Sequence, residues 1–424
     1  MHPSLPFARV VLLISAATVS AFEVNAVVRG VDAENRSIVV FAGGQDRKLE
    51  VATDATFTDS KGVPLADGLK SKGLKDGAEV TLTVERGNGR PALLSLKLNH
   101  NAEGSKPGAP RRGAPQGGRG GVDPKFNNRP TTGLKPLDEM TAEDRYQGED
   151  GGLYGGGKNE PPAAHAAAAK KATKQIVPRD AAGTPSSNGK IGVVSISMSN
   201  ATQEYSKFKQ IADADPQKSS NVAIVDCAQG GQAMAEWVDP RARAWQTADQ
   251  RLASAGVSPE QVQVVWIKLA NKGPSGTLEN HGRTLERDTL AIIHNAKQRF
   301  PNLQIAYLGS RIYGGYTQSG LNPEPQAYEG AFVVRWMIQD QAKGNPELNY
   351  DADRGAMRAP VLLWGPYFWA DGTTPRKSDG LVYDRSDLAG DGTHPSESGR
   401  QKVAELMLRF FTTDADAKRW FVKH

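Results

Sequence analysis

The spacing of hydrophobic and polar positions changes once along this chain, near residue 190. Upstream, residues 22–100 carry short runs in which apolar and polar side chains partly alternate, with Asp, Asn and Gly between the runs. A two-residue period and such turn residues are typical of β-strands. The predicted strands are 24–28, 37–41, 48–51, 79–84 and 93–98. About five short strands in this length predict a small antiparallel barrel that is similar to an OB fold.

From residue 190 onward, strand-like runs alternate with segments of helical period. Strands are predicted at 191–197, 221–225, 262–267, 304–308 and 360–364, and helices at 203–211, 278–300, 327–341 and 396–411. In the longest helix, one apolar face is formed by Leu285, Thr289, Ile292, Ile293 and Ala296. This alternation predicts a parallel sheet covered by helices on both faces. Such sheets bind ligands at the carboxyl ends of their strands, so the chemistry should lie just after each strand.

The segments between these two regions differ in composition. Residues 101–133 are rich in Gly, Pro, Ala and Arg and have no apolar period, which predicts a disordered linker. Acidic and aromatic residues return at 134, and an Ala-rich helix is predicted at 163–175. We therefore assign 134–424 to a second domain, with 134–189 as its N-terminal extension.

The N-terminus has the features of a signal peptide. Arg9 precedes a mostly apolar run at 10–17, and Val19-Ser20-Ala21 offers small residues for cleavage. The run is too short for a permanent membrane span. We therefore predict a signal peptide at 1–21 and an exported protein. The alternative is the unstructured N-terminus of a cytosolic protein.

Charge and cysteine content narrow the function classes. The chain has 52 Lys and Arg against 47 Asp and Glu, a net charge of +5, and much of the excess lies in the linker. The β-rich region also has no aromatic ladder, so we predict no nucleic-acid partner. With Cys227 as its only cysteine, the chain has no internal disulfide, and we expect Cys227 to be a small buried residue.

Two segments after the first two strands of the second domain could form half of an acyl-transfer site. Ser199 lies where a strand ends and a helix begins, so its hydroxyl would point out of the sheet edge and its N–H would belong to the helix N-terminus. After the next strand, Gly230 and Gly231 would let an N–H face an oxyanion. Each segment taken singly also fits a plain structural role, Ser199 as an N-cap and the glycines as a turn.

Two later segments could complete this site. The Asn271 amide, after the third strand, could donate to the same oxyanion or simply cap a turn. In Gly390-Asp391-Gly392-Thr393-His394-Pro395, the Asp391 carboxylate could accept the Nδ1–H of His394 and leave Nε2 for a serine. Of the seven histidines, only His394 has a carboxylate at this spacing in a loop.

The order Ser, Gly, Asn and then Asp-x-x-His near the C-terminus resembles the blocks of the SGNH (GDSL-like) hydrolases. The resemblance covers about residues 190–412 and implies a flavodoxin-like three-layer α/β/α sandwich. It implies a catalytic triad of Ser199, His394 and Asp391. It also implies an oxyanion hole made of the N–H groups of Ser199 and Gly231 and the Asn271 amide, with Gly230 as the other possible register.

The chain departs from that family's usual motifs at two blocks. The first block usually reads Gly-Asp-Ser-Leu, whereas Ser197, Met198 and Asn200 surround the serine here. In the third block, Ala270 and Lys272 flank the asparagine. The predicted catalytic residues themselves are all present.

These residues together predict a serine esterase without a cofactor or a metal, and they leave the ester open. Asn200 and Gln232 are candidates for substrate binding. The aromatic residues Trp364, Tyr367, Phe368 and Trp369 follow the fifth strand and could either stack on sugar rings or belong to the core. An acetylated polysaccharide is therefore one candidate substrate, beside small-molecule esters and lipids.

Other functions are less well supported by the sequence. A non-catalytic glycan- or surface-binding protein could use the same scaffold. A metal-dependent hydrolase could use Asp391 and His394 as ligands, but no His-x-x-x-His or Cys-x-x-Cys set accompanies them. No phosphate-binding Gly-Lys-Ser/Thr loop is present, which disfavours nucleotide hydrolysis.

Overall fold

The computed structural model describes residues 20–42, 45–59, 62–75, 78–86, 92–98 and 128–423. The chain divides into two compact units, residues 1–116 and 117–424. Of the signal peptide expected at 1–21, residues up to 19 lie outside the described residues, while Ser20 and Ala21 begin the first strand. Most of the expected linker also lies outside them.

The first unit is a closed five-stranded barrel with the strand order β1-β2-β3-β5-β4. Its strands are β1 (Ser20–Asp32), β2 (Ser37–Ala42), β3 (Gln45–Thr58), β4 (Glu79–Arg86) and β5 (Ala92–Leu98). Neighbouring strands are antiparallel except for β3 and β5, which are parallel. The predicted barrel is therefore present, with one parallel pair that the sequence pattern did not indicate.

Alternation along the strands builds the core of this barrel. Val80, Leu82 and Val84 of β4 are buried, while the residues between them are more exposed. The same two-residue period buries Ile38 and Val40 of β2. Successive side chains of a strand point to opposite faces, so one apolar face of each strand fills the interior.

The second unit contains five strands and seven α-helices among its described residues. The strands are β6 (Ile191–Ile196), β7 (Val222–Val225), β8 (Val262–Lys268), β9 (Ile305–Gly309) and β10 (Val361–Trp364). The helices are α1 (Ala163–Thr173), α2 (Ser199–Ala214), α3 (Arg243–Ser254), α4 (Leu278–Arg299), α5 (Gln326–Ala342), α6 (Glu397–Thr413) and α7 (Lys418–Phe421).

The five strands form one parallel sheet in the order β10-β9-β8-β6-β7. Every residue of β6 and β8 is buried, so both faces of the sheet are covered. Because β7 and β8 lie on opposite sides of β6, the direction in which the sheet grows reverses between β6 and β8. Ligands of parallel sheets bind in the crevice at such a reversal, beyond the carboxyl ends of the strands.

The sequence pattern located the strands of this sheet better than its helices. Each predicted strand agrees with the observed one within one residue at either end. Helix α3 was not predicted, because its buried face includes two small residues, Ala244 and Ala248, beside Trp245 and Leu252. Helix α2 begins earlier than predicted, at Ser199 itself.

The C-terminal end of the expected linker belongs to the second unit. The Asp371 carboxylate accepts hydrogen bonds from the N–H groups of Thr132 (2.7 Å) and Gly133 (2.8 Å). It also accepts from the hydroxyls of Thr131 and Thr132. Composition alone could not reveal this attachment, because the acceptor lies some 240 positions away in the chain.

We expect the substitution Asp371→Ala to lower the free energy of unfolding of the second unit by about 2 kcal/mol, since several partly buried donors lose their acceptor. Urea unfolding followed by tryptophan fluorescence measures this, because all seven Trp lie in the second unit. Asp353→Ala, at an exposed position, is the control. Equal stability of the two variants would contradict the role of Asp371.

Candidate active site

Ser199 lies where the first strand of the sheet meets its helix. β6 ends at Ile196, Met198 is extended, and α2 begins at Ser199. The Ser197 hydroxyl donates to the Lys268 carbonyl over 2.6 Å, which ties this turn to the end of β8. The first N–H groups of a helix have no intrahelical acceptor, so the Ser199 N–H is available to a substrate oxygen.

The structure brings Ser199, His394 and Asp391 into one hydrogen-bonded row. The Oγ of Ser199 lies 2.7 Å from Nε2 of His394, although the residues are 195 positions apart. Nδ1 of the same ring lies 2.5 Å from Oδ2 of Asp391. Ser199 is half-buried and the His394 side chain is 24% exposed, so the row is accessible from solvent.

Two helices that pack against each other adjoin this row of residues. Helix α2 begins at Ser199, and α6 begins three residues after His394. The fully buried rings of Phe208 on α2 and Phe411 on α6 stack with their centroids 5.3 Å apart. This packing fixes the distance between the serine and the histidine loop.

The Asp391 carboxylate stays ionised even at pH values well below neutral, because its pKa is lowered. Burial by itself would raise its pKa, but the hydrogen bond from the His394 ring and the N–H donors of Thr393 (2.9 Å) and His394 (3.0 Å) outweigh it. These contacts lower the pKa to about 2. An ionised Asp391 holds the Nδ1 proton of the ring and leaves Nε2 as an acceptor for the serine hydroxyl.

A glycine permits the turn between Asp391 and His394. Gly392 has φ +67°, a region that favours glycine, and a Cβ at this position would lie 1.8 Å from the Tyr316 carbonyl oxygen. The backbone of this loop therefore lies directly against the segment that contains Tyr316.

Asn200 faces the histidine loop. It is 2% exposed, and its Nδ2 donates to the Thr393 carbonyl over 3.3 Å. Its amide is therefore used within the protein, which differs from the substrate contact expected from the sequence.

Gly231 lies in an exposed turn after β7. Its φ is +74°, and no heavy atom lies within 4 Å of where a Cβ would be. Among the residues that the structure describes, no acceptor is assigned to the Gly231 N–H. Gly230 is equally open, while the half-buried Gln232 accepts the indole N–H of Trp237 on its carbonyl.

The Asn271 amide is held in one orientation after β8. Its Oδ1 accepts the Ala235 N–H over 2.8 Å, and its Nδ2 donates to Oδ2 of Asp288 over 2.6 Å. These contacts distinguish the amide oxygen from the nitrogen and leave the second hydrogen of Nδ2 for another acceptor. Ser199 after β6 and Asn271 after β8 thus border the crevice where the sheet order reverses.

The aromatic residues after β10 belong to the core, which is one of the two alternatives that the sequence left open, and they do not form the sugar-stacking surface. Trp364 is 5% exposed, Tyr367 7% and Trp369 0%, and Phe368 is fully buried. Their polar atoms also have internal partners. The Trp364 indole donates to the Leu153 carbonyl, the Trp369 indole to Glu324, and the Tyr367 hydroxyl accepts the Leu137 N–H. A strand-end position does not by itself decide which way a ring points.

Buried charges beneath the site were missed by the sequence reasoning. Lys268, the last residue of β8, forms an ion pair with Glu204 of α2, and both side chains are 0% exposed. Burial lowers the pKa of Lys268 to about 8. The sequence signal was a lysine at the end of a strand whose only other polar residue is Gln263, but the partner of Lys268 could not be identified without the fold.

A segment after β9, here called the 311–324 loop, connects the two sides of the site. The Gln318 N–H donates to the Asp391 carbonyl over 3.1 Å. The Asn322 amide donates to the Asn271 carbonyl over 2.6 Å. The 311–324 loop thus contacts both the loop that contains Asp391 and His394 and the candidate oxyanion residue Asn271.

Glu324, the last residue of the 311–324 loop, accepts three hydrogen bonds through its side chain. One carboxylate oxygen accepts from the Gly314 N–H (2.7 Å) and the Trp369 indole (2.8 Å), and the other from the Tyr328 N–H (3.0 Å). Burial raises the pKa of Glu324 to about 7, because these donors only partly offset the loss of solvation.

Neither a membrane-spanning helix nor a metal-binding cluster is present in the described part of the chain. No helix in it has the length and apolarity that crossing a membrane requires. Within the same residues, no group of three or more His, Cys, Asp and Glu side chains is arranged to hold a metal ion. Cys227 is buried, as predicted.

Comparisons with known proteins give only distant similarities. No protein-family model matches the chain, and no curated protein matches it. Among solved structures, apo-CusF from Escherichia coli is similar over 21% of this chain and 98% of its own, at 14% identity and a TM-score of 0.16.

Two other solved structures are similar over about half of the chain. The periplasmic domain of a lipopolysaccharide acetyltransferase from Salmonella ser. Paratyphi A is 14% identical, covering 51% of this chain and 82% of its own, with a TM-score of 0.29. A carbohydrate esterase, described as having divergent catalytic and non-catalytic binding functions, is 12% identical, covering 55% and 70%, with a TM-score of 0.30.

We expect Glu324→Gln to weaken the pH dependence of stability. The folded-state pKa of Glu324 is raised from 4.5 to about 7, so its contribution to stability is full below pH 4.5 and is lost as the pH rises through 7. A few kcal/mol should separate these limits, at about 1.4 kcal/mol per pKa unit. Urea unfolding at pH 5 and pH 8 should show a smaller change for Glu324→Gln than for wild type. Glu279→Gln, at an exposed position on α4, should behave as wild type. An unchanged pH dependence in Glu324→Gln would contradict this assignment.

Proposed function

We propose that this chain is an exported serine esterase of the SGNH hydrolase type, with Ser199 as nucleophile, His394 as general base and Asp391 as the partner of His394. The observation that carries the proposal is the row of contacts from Ser199 Oγ to His394 Nε2 (2.7 Å) and from His394 Nδ1 to Asp391 Oδ2 (2.5 Å). Export is supported by the apolar run at 10–17 and the small residues that follow it.

The fold supports the same proposal. Numbered along the chain, the five strands of the second unit lie in the order 2-1-3-4-5, which is the flavodoxin-like order. The serine and the asparagine border the crevice at the order reversal, where such sheets bind their ligands. The SGNH sandwich that the sequence motifs imply has this arrangement.

The proposed mechanism is a two-step acyl transfer. Nε2 of His394 removes the Ser199 proton while Oγ bonds to the ester carbonyl carbon. The oxyanion accepts hydrogen bonds from the N–H groups of Ser199 and Gly231 and from the Asn271 amide. The intermediate then collapses, the alcohol leaves with the proton from His394, and the acyl group stays on Ser199. Water attacks this acyl-enzyme in the same way, which releases the acid and restores the serine.

The geometry of the site supports ester hydrolysis more directly than it supports a carbohydrate as part of the ester substrate. The rings that could have formed a sugar-stacking surface are buried, so a carbohydrate ester rests on the expected export of the chain. A substrate panel should therefore contain acetylated sugars, small short-chain esters and long-chain lipid esters. It should be run on the full chain.

Ser199→Ala should lose ester hydrolysis by at least about 10⁴-fold, and His394→Ala by a similar factor, because the two side chains act as one unit. The double variant should be little worse than either single one. The measurement is kcat/KM on the best substrate of the panel, with folding checked by tryptophan fluorescence.

A fluorophosphonate probe separates the proposed enzyme from a non-catalytic binder. Ser199 should displace fluoride and form a covalent phosphonate in wild type, whereas Ser199→Ala should remain unlabelled. Absence of labelling together with retained glycan binding would instead support the binding protein. Activity that persists in Ser199→Ala and disappears with a chelator would favour a metal-dependent hydrolase.

Asn271→Ala should lower kcat by about 10²–10³-fold and change KM little, because the amide is proposed to stabilise the oxyanion rather than the bound ester. Asn295→Ala is a matched control, since the Asn295 amide only donates to the Trp237 and Val238 carbonyls. A rise in KM at constant kcat would assign Asn271 to ground-state binding instead.

A further inference from the structure

Arg311 is a buried cation beside the loop that contains Asp391 and His394. It follows β9 by two residues and is 2% exposed. Its Nη2 donates to the Thr393 carbonyl over 3.3 Å, whereas its buried Nε has no hydrogen-bond partner among the described residues.

Arg311 differs from the other buried basic residues of this unit in how its charge is balanced. Lys268 and Arg335 each form a close ion pair with a carboxylate, but no carboxylate of the described residues lies within ion-pair distance of Arg311. Desolvation lowers the Arg311 pKa, and only longer-range attraction to Glu204, Glu324 and Asp391 opposes it. A buried charge without a close partner is costly, so its position calls for a functional explanation.

The peptide between Thr393 and His394 is held at both of its polar ends. Its carbonyl accepts from Arg311 Nη2 and from Asn200 Nδ2, each at 3.3 Å. Its N–H donates to Asp391 Oδ1 over 3.0 Å. A peptide group is planar and includes the following Cα, so fixing both ends fixes the position of the His394 Cα from which the ring extends.

A second contact from the same loop supports this arrangement. The hydroxyls of Thr317 and Thr393 form a buried hydrogen bond. Residues of the 311–324 loop thus hold Thr393 through both its backbone and its side chain.

We propose that Arg311 is a positioning residue, which clamps the 393–394 peptide through the Thr393 carbonyl and so holds the His394 ring between Ser199 and Asp391. The proposal rests on the proposed esterase function, because it assigns Arg311 to the general base of that reaction. It predicts that loss of the guanidinium misplaces the base without changing how the ester binds.

The decisive comparison is Arg311→Met against Arg335→Met in the full chain. Arg335, on α5, is also buried, and it pairs with Glu149 and Asp150 of the extension rather than with the site. We expect kcat of Arg311→Met to fall about 10²-fold with KM within about twofold of wild type, since small misplacements of reacting groups cost about this much. Fluorophosphonate labelling of Ser199 should slow by a similar factor. Arg335→Met should lose stability, while its folded fraction keeps the wild-type kcat.

Arg311→Lys keeps a buried positive charge and one donor, so it should recover activity to within about tenfold of wild type. If Arg311→Met does not fold, the kcat of Arg311→Lys is compared with that of wild type instead. If kcat is the same in Arg311→Met, Arg311→Lys and wild type, the clamp is refuted.

A readout that needs no substrate separates this proposal from the proposed function. In a ¹H NMR spectrum of ¹⁵N-histidine-labelled protein, the Nδ1 proton between His394 and Asp391 should give a downfield signal, which His394→Ala identifies by its loss. Arg311→Met should shift or broaden that signal, whereas Arg335→Met should leave it unchanged. An inactive wild type whose signal still responds to Arg311→Met would contradict the esterase and keep the clamp. An unchanged signal in Arg311→Met, or an equal effect in Arg335→Met, would overturn the clamp.

Discussion

The packing of α2 against α6 is the constraint on which the candidate site depends. Each helix adjoins one member of the Ser199–His394 contact, and the stacked rings of Phe208 and Phe411 set their separation. A hydrogen bond of 2.7 Å tolerates little movement, so the contact requires a closely packed and rigid interior. The apolar core thereby contributes directly to the geometry of the proposed chemistry.

Around this contact, the protein buries several charged groups at a cost to stability. Lys268 and Glu204 form a fully buried pair beneath the strand ends, and Arg311 and Glu324 are the first and last residues of the 311–324 loop. Buried ion pairs rarely stabilise a fold compared with apolar residues of the same size. Their concentration beside one loop fits a site in which orientation is maintained at the expense of stability.

The two units contribute differently to the proposed function. Every residue assigned to the site, from Ser199 to His394, belongs to the second unit, whereas the barrel has a separate core of its own. The proposed catalytic residues also come from loops at the carboxyl ends of the strands and from helix termini. Such positions let a rigid sheet place polar groups that the apolar core could not contain.

The sequence by itself determined the local features of this protein. Hydrophobic periodicity located the strands of the sheet, because the repeat that buries one face of an element is a property of neighbouring residues. The types and positions of polar residues after the strands also indicated that Ser199, Asn271 and the Asp391–His394 pair could form a site. Only the tertiary structure decided which groups meet and which are buried: Thr131–Gly133 with Asp371, Asn200 and Arg311 with the Thr393 carbonyl, and the rings of 364–369 inside the core. These contacts join residues far apart in the chain, and they depend on how whole helices pack, a property that no local pattern contains.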